Sequence, residues 1–279
     1  MKTGVFIFPT DYSIDITELA VALEERGFES LFVPEHTHIP TSRRSPFPAG
    51  GPLQKRYAHT HDPFVALAFA AAATETLTIG TGICLLAQRD PIVTAKVVAS
   101  LDRLSGGRFV FGLGGGWNVE EMEDHGATYR TRFAILRERV LAMKKLWTED
   151  EASFSGKHVS FEPCWSWPKP VQTPNPPILM GGETDYTLRR VVDYCDGWLP
   201  RLRPGFDPRA EMDRLRVHAD TAGRDMTSLQ VTLFRATPDK KLLAACHDAG
   251  IDRALFEIPD VSRDDALRLL DDYAPLAAP

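Results

Sequence analysis

An α/β fold, a single (β/α)8 (TIM) barrel over residues 1–279, is predicted by three observations. Short apolar runs alternate with amphipathic stretches along the chain, glycines cluster where the apolar runs end, and no repeat or composition shift marks a second domain. At 279 residues the chain is long enough to bury one large core.

Each element has a local reason. Residues 4–8 read as the first strand, 16–26 as a helix stopped by Gly27, and 30–34 as the second strand. An insertion follows, in which Pro40, Pro46, Pro48, Gly50, Gly51 and Pro52 exclude regular structure. Asp62 and Pro63 supply the cap and first turn of a helix running to Glu75. Residues 77–86 give the third strand, with Gly80 and Gly82 inside it; a glycine in a buried strand marks a bulge or a close approach by a ligand. Arg89, Asp90 and Pro91 stop that strand before a helix over 92–104.

The fourth strand, 109–113, runs into Gly114, Gly115 and Gly116, then Trp117 and Asn118. Three adjacent glycines leave either a floor on which a flat ring could lie or a tight turn that needs positive φ. The helix over 132–147 places Ile135, Leu136, Val140, Met143 and Leu146 at helical spacing, which reads as core packing without chemistry. A hairpin at 153–161 and a proline-rich run at 163–177 then form an insertion between the fourth helix and the fifth strand, expected at the strands' N-terminal ends. Strands at 177–180, 198–199, 229–234 and 254–258, alternating with helices at 185–194, 208–222, 239–249 and 263–273, complete eight strand-helix units.

Composition narrows the function classes. A formal charge of −6 argues against a nucleic-acid partner, because neutralising phosphates needs a basic surface. Cys84, Cys164, Cys195 and Cys246 show no CxxC spacing, so neither a disulfide scaffold nor a zinc ribbon is suggested. The N-terminal apolar run is too short for a signal peptide and no run approaches membrane-spanning length, so the expectation is a cytoplasmic protein with a small-molecule substrate and no membrane partner.

Four segments, VPEHTHIP, LTIGTGICLLAQRDPIVTAKVVASLDRLSGGRFVFGLGGGW, the SFSGKHVSF hairpin with PKPVQTPNPPILMGG, and CDGWLP, occur here in an order and spacing that identify a family. The chain resembles the bacterial luciferase-like oxidoreductases and, within them, the coenzyme F420-dependent branch. The resemblance implies an oxidoreductase that transfers a hydride between the deazaflavin F420 and a small organic substrate, with an FMN-dependent monooxygenase as the alternative. It implies a non-proline cis peptide at Gly82-Ile83 propping the flavin or deazaflavin ring, and a cofactor phosphate beside Gly181, Gly182 and Thr184. A helix start with free N–H groups suits an anion; Glu183 is unwelcome there and is expected to point away. Gly115 lies on the expected ring floor, and Asn118 either reaches the cofactor carbonyl or caps a helix.

In relatives the place of His36 holds a histidine or acid beside the reactive ring carbon, and an imidazole there could exchange a proton as hydride moves. Trp117 stands where sugar-phosphate-oxidising relatives carry a glutamate, which points instead to an apolar or planar substrate or to a space-filling wall. Family members are often dimers, so the resemblance alone points to a homodimer. The basic loop over 41–61, with Arg43, Arg44, Lys55 and Arg56, reads either as a lid for an acidic tail or as a solvated loop; Arg201 and Arg203 on the predicted rim compete for the first role. Two H-x-H pairs, His36-Thr37-His38 and His59-Thr60-His61, keep open a metal-dependent barrel hydrolase, although later strands lack matching ligands and no metal site is assigned. A non-catalytic, cofactor-binding barrel is the third reading.

Overall fold

The computed structural model describes residues 1–277. Its elements follow in order: β1 (Lys2–Phe6), α1 (Ile16–Glu25), β2 (Ser30–Val33), α2 (Arg56–His59), α3 (Pro63–Ala72), β3 (Thr78–Thr81), α4 (Pro91–Leu104), β4 (Phe109–Leu113), α5 (Val119–Asp124) and α6 (Arg132–Thr148). Then come β5 (Ala152–Ser155), β6 (Ser160–Cys164), β7 (Ile178–Gly181), α7 (Asp185–Tyr194), β8 (Gly197–Leu199), α8 (Pro208–Ala222), β9 (Gln230–Ala236), α9 (Lys240–Ala249), β10 (Arg253–Glu257) and α10 (Arg263–Tyr273).

Eight of these strands close a parallel barrel in the order β1-β10-β9-β8-β7-β4-β3-β2, and β5 with β6 forms a separate antiparallel hairpin. The helix starts are chemically marked: Asp62, Asp90 and Asp207 cap α3, α4 and α8, each followed at once by proline, which costs nothing where the N–H has no partner. Phe6, Phe32, Val110, Leu179, Phe234 and Leu255 fill the barrel's interior, and a larger apolar layer lies between strands and helices.

Several boundaries differ from the sequence expectation for identifiable reasons. The third strand ends at Thr81 rather than 86, because the chain turns inward at Gly82 and Leu86–Gln88 becomes a single 3-10 turn. The short helix α2 was not expected, and α5 was anticipated only through the capping alternative at Asn118; four and six residues are too few to show a period. The segment after the hairpin is anchored at the N-terminal end of the strands, where Gln172 Nε2 donates to Phe109 O at 2.7 Å and Asp102 accepts from Val171 N at 2.7 Å. Among the described residues no helix is long and apolar enough to cross a membrane.

Candidate active site

The C-terminal ends of β1, β2, β3, β4, β7, β8 and β9 enclose one cavity of about 570 Å³. Barrels of this kind assemble chemistry at that rim because the loops there are free to vary while the strands hold them.

The floor is made where β3 ends. The peptide between Gly82 and Ile83 is cis. Glu35, 2% exposed, holds the following turn from behind: Oε2 accepts from Leu85 N at 2.7 Å and Oε1 from Arg89 Nε at 2.5 Å. The neighbouring glycines are sockets. A side-chain carbon on Gly114 would lie 2.2 Å from Ile83 Cδ1 and one on Gly181 3.1 Å from Ile83 Cγ2. One on Gly115 would meet the Phe133 ring at 2.7 Å. The bare glycine floor is thus corrected: Ile83 and Phe133 fill the space at Gly114 and Gly115, and Gly116, at φ +68°, makes the turn.

One end of the cavity is aromatic. His36 packs against Tyr57 and Trp117 with ring centroids 5.3 and 5.9 Å apart, and Phe6, Phe8 and Phe234 continue the wall. Burial raises the pKa of the Tyr57 phenol, which stays neutral. His36 Nδ1 lies 2.7 Å from Glu121 Oε2. The loop that carries Tyr57 is not free: Ser45 donates from N to Glu120 at 2.8 Å, docking the loop on α5, and buried Arg56 pairs with Glu257 at 2.9 Å.

The other end is cationic. Arg132, at the start of α6, and Arg190, on α7, line the cavity on either side of Phe133, their guanidinium carbons 4.5 and 3.7 Å from that ring's centroid. Among the described residues neither pairs with a carboxylate; Arg132 donates only to Tyr129 O and its Nε is buried without a partner. Burial lowers the Arg190 pKa and the like charge of Arg132 lowers it further, against an opposing effect of Tyr194. Beside them α7 begins, capped by Thr184, with Trp198 Nε1 donating to Gly182 O at 2.7 Å to fix the loop. Glu183 lines the cavity instead of leaving it, but its carboxylate is drawn to Arg201 at 2.7 and 3.0 Å, which lowers its pKa against the cost of burial.

A family model for luciferase-like monooxygenases matches residues 1–238. The chain belongs to the luciferase-like monooxygenase family. An uncharacterized protein of Mycobacterium tuberculosis is 38% identical to it over 98% of each chain. An F420-dependent hydroxymycolic acid dehydrogenase of the same species is 27% identical, over 82% of this chain and 61% of its own. Among solved structures, an F420-dependent secondary alcohol dehydrogenase in complex with an F420-acetone adduct shares the fold at TM-score 0.78 and 18% identity, each chain wholly covered.

In this luciferase-like oxidoreductase, His36, Trp117, Gly82, Ile83, Gly115, Gly181, Gly182 and Thr184 all border the one cavity. Asn118 does not: it is 2% exposed and accepts from Glu121 N at 3.3 Å, capping α5. The sequence reading missed Arg132 and Arg190, having treated the helix from 132 as packing only; the signal was an arginine at the first position of that helix, where core packing has no use for it. His38 and His59 each face a carboxylate, Asp124 and Asp11, at 2.9 and 2.8 Å. Among the described residues, no three His, Cys, Asp or Glu side chains gather as metal ligands.

Proposed function

We propose that this chain transfers a hydride between coenzyme F420 and the carbinol carbon of an apolar alcohol, interconverting alcohol and carbonyl. The observation that carries the reading is the polarity of this cavity: uncompensated Arg132 and Arg190 at one end, His36 inside an aromatic wall at the other, and Ile83 between. A planar redox heterocycle with a long anionic arm fits that gradient. Arg132, Arg190, Thr184 and the backbone N–H groups at the start of α7 would hold the arm, and Ile83 would support the ring.

F420 bound there would supply the hydride chemistry, serving as the two-electron partner of the alcohol-carbonyl pair. The chain's own part is the proton. With Nδ1 engaged by Glu121, His36 Nε2 remains for the cavity, accepts the hydroxyl proton as the carbonyl forms, and returns it in the reverse direction. Tyr57, Trp117 and Phe234 exclude water and favour an apolar substrate body. The relative named as a hydroxymycolic acid dehydrogenase supports the alcohol-carbonyl pair.

FMN with a monooxygenase reaction is the second reading, favoured by the family's description. Fluorescence titration with F420 and with FMN decides between them. The expected result is saturable F420 binding at least tenfold tighter than FMN, followed by cofactor reduction on adding an apolar secondary alcohol. Tighter FMN binding and oxygen consumption would replace F420 in the proposal, and binding of neither would end it.

A further inference from the structure

Glu121 is fully buried, its side chain 0% exposed, directly behind His36. Its Oε2 lies 2.7 Å from His36 Nδ1 and its Oε1 accepts from Thr37 N at 3.1 Å, so both oxygens are engaged on one dipeptide after β2. Among the described residues no lysine or arginine pairs with it; His36 is its one ionisable partner. Its placement is fixed from its own side as well, since Asn118 Oδ1 accepts from Glu121 N and starts α5 there, where a carboxylate faces the positive end of the helix.

An ionised carboxylate only accepts hydrogen bonds, whereas each nitrogen of neutral imidazole is either donor or acceptor. A buried carboxylate at Nδ1 therefore forces the proton onto Nδ1 and leaves the lone pair on Nε2, the nitrogen with no partner among the described residues. A ring in the other tautomer would present an N–H to a substrate hydroxyl and could not take its proton. We infer that Glu121 is a positioning residue whose function is to hold His36 in the Nδ1–H tautomer, making it the base for alcohol oxidation and, once protonated, the acid for carbonyl reduction. The kinetic side of this inference rests on the hydride-transfer reading above; the tautomer itself does not.

The test uses the full chain loaded with F420 and labelled with 15N-histidine, with Glu121→Gln and Glu121→Asp beside the wild type and His36→Gln to assign the signal. The wild-type His36 signals are expected at the shifts of an Nδ1–H, Nε2-lone-pair ring, and Glu121→Gln, whose amide donates as readily as it accepts, moves the population toward Nε2–H. In single turnovers Glu121→Gln is expected to lower the hydride-transfer rate about hundredfold. Its F420 affinity stays within twofold, and Glu121→Asp restores part of the rate. A wild-type ring already in the Nε2–H form, a tautomer indifferent to Glu121→Gln, or an unchanged rate would each overturn the inference. Should F420 bind but no alcohol react, the hydride reading falls while the wild-type spectrum still decides the tautomer. The wild-type spectrum also decides it if Glu121→Gln fails to fold.

Discussion

The two rims of the barrel use the same kinds of charged side chain to opposite ends. At the N-terminal rim, Glu29 sits between Arg253, at 2.7 and 2.8 Å, and Lys2, at 3.1 Å. Arg108 there gives its guanidinium to the carbonyls of Leu77, Ala71 and Thr74 at 2.8 to 3.0 Å. At the C-terminal rim, Arg132 and Arg190 line the cavity and, among the described residues, pair with no carboxylate, whereas Glu183 beside them is taken by Arg201. Charge that the chain satisfies internally stabilises the fold; charge left over in a cavity is available to a ligand. The division matches the general assignment of stability to one face of such barrels and chemistry to the other.

That comparison breaks most sharply at Glu29. Burial pushes its pKa up, but the hydrogen bond and charge of Arg253 outweigh this and set it at about 2, below the ordinary 4.5. A carboxylate whose folded pKa is depressed stabilises the fold above its unfolded pKa and loses that contribution as pH falls toward the folded value. Glu29→Gln is therefore expected to cost about 3 kcal/mol at neutral pH in urea unfolding, with the difference from wild type vanishing between pH 4.5 and about 2. Its cofactor affinity is expected to match the wild type.

Removing the opposite pair sharpens the contrast. The double variant Arg132→Met with Arg190→Met is expected to weaken F420 binding about hundredfold, roughly 2.7 kcal/mol, while its unfolding midpoint holds or rises because two like charges no longer repel. A steep salt dependence of wild-type affinity should flatten in the variant. Lost stability with unchanged affinity would place these arginines with the N-terminal rim instead. A smaller effect is expected between the two rims, at the floor: in Gly114→Ala the new methyl pushes the Ile83 δ-carbon out of its socket toward the ring, weakening F420 binding about tenfold with little change in melting. Unchanged affinity would show that Ile83 relaxes away from the cavity.

Much of the barrel was legible because its local signals agree. The fourth strand, Phe109–Leu113, and the helices Asp185–Tyr194, Pro208–Ala222 and Arg263–Tyr273 lie where apolar periodicity and caps put them. Elements too short for a period, α2 and α5, left no periodic trace, only the cap at Asn118 for α5, and α5 carries Glu121. His36 and Trp117 could be named from the sequence because their motifs are local, and both line the cavity; Glu121 lies 85 residues from His36 and shares no motif with it.

By itself the sequence determined the order of strands and helices, the cavity's rim and the glycines that bound it, since these depend on side-chain period and backbone freedom within a few residues. Tertiary structure alone decided what the glycines admit and which charges remain unpaired. Whether Gly114 receives a ligand or Ile83, and whether an arginine meets a carboxylate or a second arginine, depends on neighbours that only barrel closure brings within a few ångströms.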